Sequence, residues 1–336
     1  MINVGLIGYG YWGAILARNL AETTGVCLAA IADEIPTRVD LAAQQYRGIL
    51  MYGSGLSLLS NDDLDAVVIA TPLTGHYSLC KAAIERGKHV LVEKPMAASV
   101  AGAIELVELA YKKRVRLSVD HTFIYSGAVR KIHSLITAGE LGELLYLDSV
   151  RVNFGLFQRD ANVIWDLAAH DFAILDHLLV ARPVAIAAHA TCFAGYEYES
   201  VAHVTIHFDN GCLGHLHVNW LAPEKMRRML IGGSQSMIVY DDLSPIEKVR
   251  VYDKSVTLKV ENHEARWQTN VSYHNGLMCI PKLDCSEPLG NLTREFADAI
   301  EQRRETLTDG AAGVRVVTLL DAAERSLRTE GQRIRL

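Results

Sequence analysis

A strand-like apolar run, Ile2–Ile7, leads directly into Gly8-Tyr9-Gly10-Tyr11-Trp12-Gly13, and helical character takes over from Ala14. Glycines alone mark ordinary turns, but G-x-G-x-x-G between a strand and a helix constrains a chain far more tightly. Each glycine then has a task. Gly8 makes the tight turn, Gly10 lets the backbone approach a pyrophosphate, and Gly13 lets helix and strand pack closely. The anion rests on the helix N-terminus, where free N–H groups and the dipole favour it. Tyr11 and Trp12, inside the loop, are candidate contacts to the same dinucleotide. A second apolar run, Val26–Ala32, ends in Asp33, about 20 residues past the glycines, where the fingerprint expects an acid on the adenosine ribose 2′-OH. A carboxylate there repels a 2′-phosphate, so NAD is expected and NADP is less favoured. Glu34 adds negative charge, whereas Arg38 can tolerate a phosphate or stack on adenine. Asp33 also suits a plain helix N-cap at a strand end.

The same alternation continues. Asp65–Ala70 reads as a buried strand ending in Thr71-Pro72, His76–Arg86 as a helix closed by Gly87, and His89–Val92 as a strand ending in Glu93-Lys94-Pro95. Ala97–Lys113 and Val115–Val119 add one more helix and strand. Strand–helix units of this length predict an α/β doubly wound parallel sheet of the Rossmann kind over residues 1–120. Ligands of such sheets bind at the carboxyl ends of the strands. Thr71, Pro72, His76, Glu93 and Lys94 fall there and are candidate cofactor contacts. A proline just past a strand end costs no ladder hydrogen bond, and a cis Lys94–Pro95 bond would re-aim the lysine.

At 336 residues the chain suits two domains better than one core. The second, residues 121–336, reads as α+β. Alternating runs at Leu144–Val152, Ala185–Ala194, Val201–Phe208 and Cys212–Trp220 predict a large, open, mostly antiparallel sheet with one covered face. Further strands are expected at Arg227–Gly232, Ser236–Tyr240, Lys248–Tyr252 and Val256–Val260, and C-terminal helices within 291–336. Between Val201–Phe208 and Cys212–Trp220, a two-residue turn would pair apolar with polar positions. A three-residue loop, Asp209-Asn210-Gly211, pairs Ile206 with Gly214 and Thr205 with His215, so a type I turn with left-handed Gly211 is expected. His203, His207, His215 and His217 then share the polar face. A metal site competes with a polar or interfacial face here, and the absence of a carboxylate or cysteine on that face favours the latter, so no metal is expected.

Net charge is −6 with Lys and Arg scattered, which gives no basic stripe for nucleic acid. Charged residues make up 21%, and no apolar stretch has the length of a membrane span. No secretory signal is read at Met1. The six cysteines form no C-x-x-C pair and mostly lie in apolar runs, so buried thiols in a reducing, cytoplasmic compartment are expected, with a Cys279–Cys285 pair as the alternative.

Asn162–Leu178 has helical periodicity, which places Asp166 and His170 on one face and turns Asp171 about 100° away toward a structural role. Removing a hydride from an alcohol requires a base near neutral pKa and a positive group for the developing alkoxide. His170 suits the first and Lys94 the second, with Asp166 orienting substrate or imidazole. A surface ion pair is the plainer account of Asp166 and His170. Arg151, Asn153, Gln158, Arg159 and Asn162 precede the helix and suit a diphosphate or sugar, or plain solvation.

Taken together, the glycine loop, Thr71-Pro72 with His76, Gly87-Lys88-His89-Val90-Leu91-Val92-Glu93-Lys94-Pro95 and Asp166-x-x-x-His170 resemble the Gfo/Idh/MocA oxidoreductase family over nearly the whole chain. The resemblance implies NAD(P)-dependent oxidation or reduction of a sugar, cyclitol or nucleotide-sugar hydroxyl. It also implies a Lys94–Asp166–His170 site and homodimers or homotetramers built through the open sheet. Family members usually carry an Arg after the last strand of the first domain. Here the stretch is Asp120-His121-Thr122-Phe123-Ile124-Tyr125, which makes His121 and Tyr125 the candidate substrate contacts. That stretch, with Trp165-Asp166-Leu167-Ala168-Ala169-His170-Asp171, is most similar to the branch containing nucleotide-sugar 3-dehydrogenases, whose product would pass to an aminotransferase. Alternatives are an inositol or free-sugar dehydrogenase, an NAD-dependent glycosidase on the same fold, and a non-catalytic NAD sensor.

Overall fold

The computed structural model describes residues 1–155, 157–158, 160–193, 195–259 and 270–336. Among the described residues the first elements are β1 (Ile2–Ile7), α1 (Tyr11–Glu22), β2 (Val26–Ala32), α2 (Pro36–Gln45), β3 (Leu50–Tyr52), α3 (Gly55–Leu59), β4 (Ala66–Ile69), α4 (Leu73–Glu85), β5 (His89–Glu93), α5 (Val100–Lys113) and β6 (Leu117–Asp120). There follow α6 (Gly127–Thr137), β7 (Leu144–Phe154), α7 (Ala169–Leu178), β8 (Pro183–Thr191), β9 (Val201–Phe208), β10 (Leu213–Asn219) and β11 (Leu221–Gly233). The chain closes with β12 (Met237–Asp241), β13 (Val249–Lys259), β14 (Asn270–Cys279), α8 (Pro288–Glu301), α9 (Gly310–Arg328) and β15 (Ile334–Arg335). Two compact units result, Met1–Ser126 with Ser286–Asp321, and Gly127–Cys285 with Ala322–Leu336.

The first unit holds a six-stranded parallel sheet in the order β3-β2-β1-β4-β5-β6, the doubly wound order expected. Its central strands β4 and β5 are apolar because helices cover both faces, and Val67, Val68, Leu91 and Val92 are fully buried. Its extent differs from residues 1–120, because Ser286–Asp321, expected with the C-terminal helices of the second domain, folds here. The reason lies at the edge. β6 would otherwise leave a row of unpaired backbone groups. Thr308 fills it: its carbonyl accepts the Val119 N–H at 2.8 Å, and its hydroxyl donates to the Val119 carbonyl at 2.7 Å. Buried Thr23 and Thr293 hydroxyls, 2.7 Å apart, fasten α8 to the end of α1.

The second unit holds a nine-stranded sheet, β14-β13-β12-β11-β7-β10-β9-β8-β15. It is mostly antiparallel, but β7 and β10 run parallel. The β9–β10 hairpin pairs Ile206 with Gly214 and Thr205 with His215, and Gly211 is left-handed at φ +85°. Lys248–Tyr252 and Val256–Val260, expected as two strands, are one strand, β13, as far as Lys259; Val260 lies outside the described residues. Of the cysteines only Cys80 and Cys212 are buried, while Cys192, Cys279 and Cys285 are exposed.

Arg151 was expected to meet substrate. It is instead 5% exposed and clasps Asp171, Nε to Oδ2 at 2.8 Å and Nη2 to Oδ1 at 3.1 Å, while Ser149 donates to the same carboxylate at 3.0 Å. Asn162 is likewise spent on the fold. Its Oδ1 accepts from the Ile164 and Trp165 amides, and its Nδ2 donates to Glu199 and Glu324. Asn162 thus caps the turn that carries Asp166. Asn153 is half-buried with its Oδ1 shielded and without a partner, and Arg159 lies outside the described residues.

Breaking a buried ion pair strands the remaining charge and costs about 3–5 kcal/mol. Arg151→Met is expected to lower the unfolding free energy obtained from urea titration by that amount, with KM for substrate unchanged in the folded enzyme. A raised KM at unchanged stability would return Arg151 to the substrate.

Candidate active site

The cofactor residues gather at the carboxyl edge of the first sheet. A cavity of about 710 Å³ is lined there by Gly8, Gly10, Tyr11, Trp12, Asp33 and Arg38, and on its far side by Thr71 and Pro72. Gly8 sits at φ +96°, and a Cβ on it would come within 2.5 Å of the Ala70 carbonyl. A Cβ on Gly13 would fall 2.0 Å from the Gly8 carbonyl, so only glycine lets α1 start against β1. Gly10, in contrast, opens toward the Arg38 guanidinium, with room for a phosphate to approach its backbone.

Asp33 is 7% exposed and pre-set, accepting the Tyr9 amide at 2.6 Å and the Ile35 amide at 2.8 Å. Arg38 reaches the same carboxylate at 3.6 Å. Asp33 is therefore more than a cap: its carboxylate lines the cavity with acceptor capacity left for a hydroxyl. Thr71 Oγ1 at this cleft and Glu93 Oε1 at the neighbouring strand end are both shielded and unpartnered. The cradle, the acid and these two orphaned oxygens fit a dinucleotide that brings its own donors and acceptors.

His76 does not line the cleft. It is 1% exposed, and its two ring nitrogens lie 2.8 Å from the Pro95 and Thr71 carbonyls. Carbonyls only accept, so in either tautomer the neutral ring donates to one of them and sits against the other. His76 thus ties the turn after β4 to the turn after β5, where the Lys94–Pro95 peptide is cis.

Glu93 and Asp120 are register partners at the ends of β5 and β6. Burial pushes the Glu93 carboxyl well above the usual range, and the neighbouring Asp120 charge pushes it further. Burial raises Asp120 as well, with Thr122 and Glu93 donating to it. Glu93 therefore carries the proton and shares it with Asp120, while also accepting the Lys94 backbone N–H. It holds the turn in addition to any contact with cofactor. Lys94 itself is half-buried. Next in sequence, His121 is 3% exposed with neither ring nitrogen hydrogen-bonded. Its pKa falls to about 3, through burial first and then the cations Lys94 and Arg315. Arg315, on α9, carried no signal in the sequence because its approach to His121 depends on the C-terminal segment folding along β6. Tyr125 is fully buried with its hydroxyl 3.1 Å from Thr308, which leaves it a structural role in place of the expected substrate contact.

In the second unit, Asp166 lies in a π-helical turn, Ile164–Ala168, where a continuous α-helix was expected; α7 follows and carries His170. Single π turns inside helices recur at functional sites. The buried Trp220 indole donates to Asp166 at 3.0 Å and orients it, a contact invisible in sequence because it comes from the end of β10. The histidine face also gained a member. His215 Nδ1 lies 2.9 Å from Asp148, because parallel β7 places Asp148 opposite His215. A carboxylate does join that face, contrary to expectation. Among the described residues no group of three His, Cys, Asp or Glu is arranged to hold a metal, and no helix is long and apolar enough to cross a membrane.

Comparison with known proteins agrees with this architecture. Residues 2–121 match the oxidoreductase family with NAD-binding Rossmann fold, and residues 129–239 match the GFO/IDH/MocA C-terminal domain. The chain is 30% identical over 260 residues to an uncharacterized oxidoreductase, YdgJ, of Escherichia coli, covering 74% of this chain and 73% of that one. It is 26% identical to UDP-N-acetylglucosamine 3-dehydrogenase of Acidithiobacillus ferrooxidans, covering 94% of each. The solved structure of that enzyme superimposes with a TM-score of 0.80 over 98% of both chains, at 25% identity. Inositol 2-dehydrogenase 2 of Saccharopolyspora erythraea is 27% identical over 63% of this chain and 65% of its own. The protein is an NAD-binding oxidoreductase, and it belongs to the Gfo/Idh/MocA family.

Two outcomes follow from the geometry. Asp33→Asn keeps an acceptor for the backbone amides but removes the charge that repels a 2′-phosphate. The ratio of kcat/KM for NADP over NAD is expected to rise by about tenfold or more, about 1.4 kcal/mol, in steady-state assays. Glu93 and Asp120 both hold protons to higher pH folded than unfolded, so stability falls as pH rises through the raised values. Asp120→Asn is expected to flatten that fall on the alkaline side of the usual carboxylate range, measured as urea midpoints. A wild-type slope would place its origin elsewhere.

Proposed function

We propose that the protein oxidises a secondary hydroxyl of a sugar or nucleotide sugar, with C3 of a UDP-N-acetylhexosamine the favoured substrate. The observation that carries this reading is the end-to-end likeness, in sequence and in fold, to UDP-N-acetylglucosamine 3-dehydrogenase. The site chemistry supports the reaction type. In this reading His170 takes the hydroxyl proton, Lys94 offsets charge on the developing alkoxide, and Asp166, fixed by Trp220, orients the reacting group. Gly8, Gly10, Asp33 and Arg38 hold the NAD, which when bound supplies the hydride acceptor. His121, kept neutral, can donate or accept one hydrogen bond without adding a charge beside Lys94.

The likeness to inositol 2-dehydrogenases supports a second reading, a free cyclitol or sugar as substrate. Homo-oligomers through the open sheet and an aminotransferase acting on the keto product belong to the proposal too. Cytoplasmic location, inferred from the cysteines, stands with them.

An NADH-formation screen across free sugars, inositols and nucleotide sugars separates the two, with an aminotransferase added to draw off an unstable ketone. Turnover of UDP-N-acetylglucosamine above the others is expected, and turnover of inositols alone would overturn the nucleotide-sugar reading. Lys94→Ala and His170→Ala are each expected to lower kcat by about 10²–10⁴-fold, the usual contribution of such groups, with NAD binding kept in calorimetry. Near-wild-type rates in both would remove the assigned roles.

A further inference from the structure

The first unit has a second cavity, also about 710 Å³, at the opposite edge of the same sheet from the dinucleotide cleft. His89, the first residue of β5, and Leu117, the first of β6, line it, so it opens at the amino ends of the strands. None of the residues assigned to cofactor or substrate touches it.

Its polar lining sets Arg114, Arg116 and Arg303 against two carboxylates, Glu305, which is bonded to Arg116, and Asp309, which accepts the Ala312 amide at 2.9 Å as a cap of α9; the rest is an apolar wall. Val107, Ala110 and Ile300 supply the wall, and Tyr111, 87% exposed, stands at the rim. Arg114 and Arg303 are exposed at the same cavity, and among the described residues no carboxylate pairs with either. Arg116 is occupied, bonded to Glu305 and to the Arg303 carbonyl. His89 accepts the Arg116 amide on Nδ1 at 2.8 Å, so its neutral ring carries the proton on Nε2 and adds a donor.

The backbone makes the two free arginines conspicuous. Arg114 lies at φ 58° and Arg303 at φ 55°, and the only other non-glycine residue so placed among those described is Glu330. Each follows a helix C-terminus, α5 and α8, at the position where glycine is the easy choice. A cation is not needed there for the α5 dipole, because Lys112 and Lys113 already occupy its last turn. Fold stability alone would favour glycine at both positions, yet both hold a guanidinium facing one cavity.

We propose that this cavity is a second ligand site, for an organic phosphate whose phosphoryl group meets Arg114 and Arg303 and whose body lies on the apolar wall beside Tyr111. Arginine's planar fork suits phosphate oxygens. The site is independent of the reaction assigned above.

Calorimetry of the full-length protein saturated with NAD, so that the dinucleotide cleft is filled, tests this with AMP and ribose 5-phosphate as probes. Saturable binding of either is expected, weakened at least tenfold in the Arg114→Gly/Arg303→Gly double variant. NAD affinity should be unchanged, and the thermal midpoint unchanged or raised, because glycine accepts the left-handed backbone. AMP binding tighter than ribose 5-phosphate, with the difference lost in Tyr111→Ser, would put a ring on Tyr111; equal affinities would limit recognition to the sugar phosphate. No saturable binding by either probe, or binding unaltered in the double variant, overturns the proposal. Should the glycine pair not fold, Arg114→Asn/Arg303→Asn applies the same criterion, since asparagine also tolerates this conformation.

Discussion

The turn that carries Lys94 lies past the end of β5, beyond any ladder hydrogen bond, so its position depends on buried side chains. His76 reaches it from α4, with one ring nitrogen 2.8 Å from the Pro95 carbonyl and the other 2.8 Å from the Thr71 carbonyl after β4. Glu93 accepts the Lys94 amide from the other side. A lysine at a strand end is ordinarily a loose cation on a flexible stem. Here the backbone beneath it is fixed by two ionisable groups shielded from water, where hydrogen bonds are stronger and a lost partner costs more. The Thr71-Pro72 turn, which lines the cofactor cleft, is held by the same imidazole. Cofactor placement and lysine placement are therefore one structural problem with one solution.

Charge at this edge is arranged so that little of it is uncompensated. Two carboxyls at adjacent strand ends would repel if both were ionised; sharing a proton leaves the pair with a single negative charge. That charge faces Lys94, which lowers both carboxyls in turn. His121 would add a further cation, and burial with Lys94 and Arg315 nearby keeps it neutral. A neutral, unpartnered imidazole at the carboxyl edge costs fold stability. Its persistence there is easier to understand if a ligand polar group completes it.

Much of this was legible because local rules and global fold agree. The glycine loop, the parallel strands, the three-residue hairpin and the structural role of Asp171 follow from periodicity, turn chemistry and side-chain phase. What was missed depends on partners distant in sequence. The Glu93–Asp120 pair exists only through β5–β6 register. Arg151 and Asn162 look like loop donors until Asp171, Glu199 and Glu324 converge on them. β3 has only three residues, too few for a period to show. β14 was also missed; its periodicity gave no clear signal, and it adds to the far edge of the sheet. Trp220 reads as the last apolar residue of a strand, and only the fold shows that its N–H is spent on Asp166.

The histidine face shows how one unforeseen pairing changes an argument without reversing it. Parallel β7 brings Asp148 beside three imidazoles, which in composition is now a respectable ligand set. Geometry decides against it. His203 and His217 stack at 4.3 Å with planes 13° apart, and His203 and His215 at 5.7 Å with 22°. Stacked rings carry their nitrogen lone pairs in parallel planes, whereas a metal needs those lone pairs to converge on one point. Burial, then the neighbouring imidazoles, lowers the pKa of His203 and of His217, so these two rings favour the neutral form. Protonating both His203 and His217 would set like charges face to face at 4.3 Å, which the stack disfavours.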